Sequence, residues 1–237
     1  MEIQECWAEH HAVRLHYLDN KMDADPTLAP LVYIPGIMGS AEDFRAEIPL
    51  FAPRRCIAVS LRGRGKSDAP EIGYTLADHR ADIEAIVAHA QLERFCLMAH
   101  SVGVAYAISY ASRHPQHLTG LILLDYPARY PAFSPQWAQR LLSRLPPERV
   151  RPHAVHGLQR ESQELPLWSD LDRITCPTLI VHGGRSDALL TAADVEQYQC
   201  HLQHAQIQIF ADAGHELWQP DYDRFIATIR TFLNEIW

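Results

Sequence analysis

Short, almost wholly apolar runs recur along this chain and alternate with segments of helical period, and that alternation limits the possible folds more than any other feature. LVYIP (31–35), RCIAVSL (55–61), FCLMA (95–99), LTGLILLD (118–125), TLIVHGG (178–184) and AQIQIFA (205–211) are five to eight residues long and mostly rich in Val, Ile and Leu. Such runs mark strands of a parallel sheet buried on both faces. Between them, TLADHRADIEAIVAHAQ puts Leu76, Ile83, Ile86 and Val87 on one helix face behind a Thr75 cap. VAYAISYASRH follows Ser101, TAADVEQYQCHL opens on Thr191, and DYDRFIATIRTFLNEI aligns Phe225, Ile229, Phe232 and Leu233. The pattern predicts an α/β protein, a mostly parallel sheet with helices on both faces. HAVRLHYL (11–18) reads as a half-exposed strand, and no helix separates it from Leu31–Pro35, so the sheet is expected to start antiparallel.

The rhythm breaks between Ala128 and Asp170. There the chain shows no strand pattern but carries Pro131, Pro135, Pro146, Pro147, Pro152 and Pro166. SPQWAQRLLSRL has Ser134 as a helix cap and Pro135 at the first helical position. Roughly forty residues is too long for an ordinary connection and suggests a functional lid. The expected organisation is a core of residues 1–127 and 171–237 with a helical cap at 128–170.

A chain of 237 residues can form one large domain or two small ones, and a single domain of this size buries roughly 70–75% of its unfolded surface. The net charge of −8 argues against nucleic-acid binding, which depends on neutralising phosphates. The 5 cysteines are scattered without a CxxC, so neither a disulfide framework nor a zinc ribbon is expected. The opening residues lack the apolar core of a secretory signal, and no run approaches eighteen apolar residues. A cytoplasmic protein without a membrane partner is expected.

Ser101 lies between a strand pattern and a helix pattern, in AHSVG (99–103). A serine there could merely cap the helix. It could also be a nucleophile on a strand–turn–helix elbow, where small residues at positions −2 and +2 permit the sharp turn. PGIMGS (35–40), SLRGRGKSD (60–68), HGGRSDAL (182–189) and DAGHELW (212–218) each follow an apolar strand. With AHSVG, these segments resemble, in the same order, the nucleophile elbow and loops of the α/β-hydrolases of the serine-hydrolase type. Ala99 replaces the usual first glycine, Pro35 a histidine and Ser60 an aspartate. The resemblance implies a mostly parallel eight-stranded sheet, a small helical lid and no cofactor.

The chemistry points the same way. A serine needs a base to take its proton, and the base needs a carboxylate to orient it and support its charge. Ser101, Asp187 and His215 occur in the order nucleophile, acid, base, each after a strand. Asp125, at the end of LILLD, is the rival acid, and Asp187 is preferred because its loop resembles the common arrangement. Asp212 is read as capping the turn before His215. Backbone N–H groups of Ile37 and Val102 are the candidate oxyanion donors.

GRGKS (63–67) lacks the first glycine of a phosphate loop, so its basic residues are read as holding the loop. The pairs His114/His117, His153/His156 and His201/His204 lack the company of a zinc site, and no metal is expected. In the insertion, Tyr130, Phe133, Trp137 and Trp168 are candidates to wall an apolar acyl pocket. Arg140, Arg144, Arg149 and Arg151, set against Glu148, are read as a solvated face, with steering of an anionic substrate as the alternative.

The expected activity is hydrolysis of a small-molecule ester or thioester through an acyl-enzyme on Ser101. The alternatives are carbon–carbon bond hydrolysis or lyase chemistry with the same residues, and a non-catalytic ligand-binding homologue. The absence of an aspartate at position 101 argues against dehalogenase and epoxide-hydrolase chemistry.

Overall fold

A computed structural model describes residues 2–146, 149 and 151–236, so Pro147 and Glu148 of the insertion lie outside the described residues. In chain order the elements are β1 (Gln4–His10), β2 (Val13–Asp19), β3 (Leu31–Ile34), β4 (Cys56–Val59), α1 (Leu76–His89), β5 (Phe95–His100) and α2 (Gly103–Ala111). They continue with β6 (Leu118–Leu124), β7 (Arg129–Tyr130), α3 (Pro135–Arg144), α4 (Pro152–Glu161), β8 (Leu165–Pro166) and α5 (Trp168–Leu171). The last are β9 (Thr178–Gly183), α6 (Ala192–His201), β10 (Gln206–Phe210) and α7 (Tyr222–Glu235).

Eight strands form one sheet in the order β1-β2-β4-β3-β5-β6-β9-β10. β1–β2 and β2–β4 are antiparallel, and every later pairing is parallel. The order reverses at β3, which lies between β4 and β5. Loops leaving the carboxyl ends of β3 and β5 therefore part around a crevice, the usual ligand position in an open α/β sheet.

Both sheet faces are covered, which is why the strand runs are continuously apolar. Along β5 and β6, Leu97, Ala99, Leu121 and Leu123 face the core shared with α2, while Cys96, Met98, Ile122 and Leu124 face the core shared with α7. The two-residue period of a strand produces this division. The helix caps are as read: Thr75, Ser134 and Thr191 each accept a backbone N–H in the first turn of α1, α3 and α6. The cysteines are free thiols. Among the described residues no helix is long and apolar enough to cross a membrane.

Three expectations need correction. The first strand, Gln4–His10, was not anticipated, and His11 belongs to the turn after it. His11 and Ala12 make that turn at φ values of 47° and 62°, without the glycine or asparagine that usually signals one. The sheet starts antiparallel as expected, but β2 pairs with β1 and β4 and not with β3, the next strand in the chain. The insertion also holds a small antiparallel ladder, β7–β8, which clasps its two ends.

The insertion docks on residues 62–74 of the core. Glu161 accepts both the Gly73 and the Tyr74 amides at 2.8 Å. Arg151 donates to the carbonyls of Ser67 and Gly65, and His153 Nε2 lies 2.9 Å from Ala69 O. Gly157 lies flat on the Tyr74 ring, where any side chain would collide with the ring.

Candidate active site

Ser101 occupies the tight turn between β5 and α2 with φ of 55°, in the left-handed region that non-glycine residues rarely enter. The turn works because its surroundings are small. A Cβ on Gly103 would stand 2.6 Å from the Pro35 carbonyl oxygen, and one on Gly36 would stand 3.1 Å from Ser101 Cβ. The sequence signal was therefore steric, and Ala99, fully buried, satisfies it in place of glycine.

The Ser101 hydroxyl lies 3.0 Å from His215 Nε2, and His215 Nδ1 donates to Asp125 Oδ2 at 2.8 Å. The structure thus corrects the expected acid: Asp125, not Asp187, supports His215. Asp125 follows β6 with φ of 47°, which turns its fully buried carboxylate toward the β9 side of the sheet. There it accepts the amides of Leu189 at 2.8 Å, Leu190 at 3.3 Å and Gly183 at 3.4 Å. Burial opposes the charge on Asp125, but the bonds from His215 and from the Leu189 and Leu190 amides outweigh it and hold the carboxyl below its usual range. Asp187 is exposed, its carboxylate lying over Gly214, where any side chain would collide with both oxygens. Asp212 does not cap the His215 turn through its side chain but pairs with Arg224 at 2.6 Å.

His100 is a site residue that the sequence reading missed. Its ring stacks on His215 with centroids 4.6 Å apart, and its Nε2 lies 3.1 Å from the His215 carbonyl oxygen. Trp218 packs edge-on against its other side at 5.1 Å. Burial and the neighbouring His215 push the His100 pKa down to about 4, so the ring is neutral near neutral pH and donates from Nε2. Its only sequence signal was a polar residue ending an apolar strand, in a chain with 14 histidines.

The Ile37 and Val102 amides lie on the two loops that flank Ser101, and neither donates to a protein acceptor among the described residues. The Ile37 loop is held from behind. Arg64 Nε donates to Ile37 O at 2.8 Å, and the Ala41 amide donates to Ser60 Oγ at 2.9 Å. His79 Nδ1 donates to Thr75 O at 2.7 Å, leaving Nε2 to accept from Arg64 at 2.6 Å. Burial and the Arg64 charge keep His79 neutral by lowering its pKa well below the usual value. Of the two basic residues in GRGKS, Arg64 holds the Ile37 loop and Lys66 pairs with Glu5 of β1 at the surface; Arg62, just before them, is bound to the buried Asp82.

The cap residues separate into two groups. Phe133 stacks on Trp137 at 4.2 Å and meets Tyr130 edge-on at 6.1 Å. Phe133 and Trp137 pack on the same small cluster of Tyr74, Ala154 and Leu158 that Ile37 and Met38 touch, which sets these aromatics beside the Ile37 loop. Trp168 does not join them: it packs edge-on against Tyr198 at 5.1 Å, in the main core. Arg151 ties the insertion to the loop at Gly65 and Ser67; Arg149 pairs with Asp43 at the surface, and it, Arg140 and Arg144 are exposed. Glu5, His16 and Glu42 form a group of metal-ligand type, but Lys66 and Arg45 already neutralise its carboxylates.

A family model described as the alpha/beta hydrolase fold matches residues 29–151. An AB hydrolase superfamily protein of Bacillus subtilis, YisY, is 27% identical over 221 residues, covering 76% of this chain and 81% of that protein. An N-formylmaleamate deformylase of Pseudomonas putida is 25% identical over 214 residues, covering 74% and 77%. Among solved structures, the esterase RhEst1 from a Rhodococcus species superposes with a TM-score of 0.81 at 21% identity, over 100% of both chains.

Proposed function

Because the chain belongs to the alpha/beta hydrolase fold family, we propose that it is a serine hydrolase that cleaves a small-molecule ester or thioester through an acyl-enzyme on Ser101. The observation that carries this reading is the unbroken path from Ser101 Oγ through His215 to Asp125, with contacts of 3.0 Å and 2.8 Å. His215 takes the Ser101 proton as the oxygen attacks the carbonyl. Asp125 holds the Nδ1–H tautomer and stabilises the imidazolium that results. The Ile37 and Val102 amides receive the oxyanion, a charge that a water-poor site with fixed donors stabilises strongly. His215 then returns the proton to the leaving group and activates the water that releases the acid.

Phe133, Trp137 and Tyr130 wall the acyl side, and the free thiols suit a reducing compartment such as the cytoplasm. The likeness to the P. putida deformylase keeps a second reading in view, the same residues acting on an N-acyl group. A fluorophosphonate probe followed by a panel of esters, thioesters and N-formyl amides tests both. Labelling confined to Ser101 with turnover of an ester supports the proposal. Absence of labelling in the folded protein refutes a working nucleophile, and turnover of N-formyl compounds alone selects the second reading.

A further inference from the structure

Behind the catalytic base, on the α7 side of the sheet, lies a partly open cavity. A cavity of about 200 Å³ is bounded by Tyr33, Phe44, Leu124, Trp218 and Phe225, with Asp43, Glu47 and Tyr222 at its polar end. Trp218 separates it from the active site: one edge of that ring meets His100, and the other side meets Phe225 at 6.1 Å. For scale, an apolar cavity of roughly 150 Å³ takes a benzene ring.

Three observations define what would fit. The walls are largely aromatic: Tyr33 and Phe44 stack on one another at 4.2 Å, and Trp218 meets Phe225 edge-on at 6.1 Å. Tyr33 is only 9% exposed, and its hydroxyl, which keeps contact with solvent, has no protein hydrogen-bond partner among the described residues. Glu47 accepts from the Tyr222 hydroxyl at 3.1 Å through Oε1, while its Oε2 is buried without a partner among the described residues. Asp43 is committed elsewhere, to Arg149 and the Ser40 amide, so Glu47 is the uncompensated charge. An aromatic box with an uncompensated carboxylate and a free hydroxyl is complementary to a cation carrying an apolar body.

We propose that this cavity binds a small organic cation, an arylalkylammonium. Its ring lies between Phe44 and Trp218, and its ammonium donates to the Glu47 carboxylate and to the Tyr33 hydroxyl. The exposed Tyr222 phenol, which now occupies the Glu47 carboxylate, turns aside to admit it. The site is separate from the acyl pocket, and its occupancy does not depend on turnover.

Phenethylammonium binding to the Ser101→Ala protein, followed by calorimetric titration, is the test. Saturable binding in the millimolar range or tighter is expected for so few atoms. Glu47→Gln should weaken it by about tenfold, the scale of a charge-assisted hydrogen bond, and phenethyl alcohol should bind weaker by a similar factor. Tyr33→Phe, which leaves the box intact, should weaken it a few-fold. Binding should persist in wild-type protein whose Ser101 is blocked by a fluorophosphonate. Failure to saturate, equal binding of the alcohol, indifference to both substitutions, or loss on blocking Ser101 would each overturn the proposal. Catalytic activity in the wild type is read separately, so failure here leaves the proposed reaction untouched.

Discussion

Replacing Asp125 by Asn removes the charge and changes almost nothing in shape. The native carboxylate is met only by donors: Oδ2 accepts His215 Nδ1 and the Leu189 amide, and Oδ1 accepts the Leu190 and Gly183 amides. An asparagine must turn its own N–H₂ toward one of these pairs. The less costly choice faces Leu190 and Gly183, whose bonds of 3.3 Å and 3.4 Å are the longer ones, and keeps the oxygen on His215. Two buried amides then lose their acceptor, at about 1–3 kcal/mol of stability each. The variant should therefore fold but melt earlier.

The imidazolium formed during catalysis would have no counter-charge. If the amide turns the other way, His215 is forced into the wrong tautomer. Either outcome lowers kcat by roughly 10³–10⁴. Steady-state hydrolysis of an activated ester, with circular dichroism to verify folding, measures this. Asp187→Asn is the paired control, and because Asp187 is exposed it should stay within about twofold of wild type. A folded Asp125→Asn protein that keeps more than about a tenth of wild-type kcat, or an equal loss in Asp187→Asn, would refute the assignment of the acid.

Ser101→Ala should lose on the order of 10⁴–10⁶ in kcat while remaining folded, measured with the same ester. Arg64→Lys loses the Nε bond to Ile37 O and should lower kcat about tenfold with little change in KM, by loosening an oxyanion donor. Trp137→Ala should shift acyl-length preference in an ester series, and an unchanged profile would remove the cap aromatics from substrate choice. His100 has its pKa depressed to about 4, so the unfolded chain binds its proton first as pH falls. That contribution to stability is full above the unfolded value near 6.5 and is lost on descending to about pH 4. It is worth about 3 kcal/mol, and His100→Gln should flatten the corresponding slope of melting temperature against pH.

Much of this molecule is determined locally and could be read without a structure. Thr75, Ser134 and Thr191 cap their helices because a hydroxyl at that position meets an amide three residues on. The strand runs are apolar on both faces because helices cover both. The elbow around Ser101 demands small neighbours, and its strand–turn–helix setting stands in one unbroken stretch of chain. The acid was different. Asp125 and Asp187 both follow strands, and nothing within either segment says which meets His215, 90 residues beyond Asp125. That choice belongs to the left-handed turn at Asp125 and to three amides brought over by β9 and the loop after it. Trp168 shows the same limit, since helix α6 claims its ring for the core. So does His100, polar at the end of an apolar strand, whose partners His215 and Trp218 come from the loop after β10. Local rules govern where a chain turns and what it buries. Which of two equivalent side chains reaches a distant partner is decided by the packing of strands that the sequence keeps far apart.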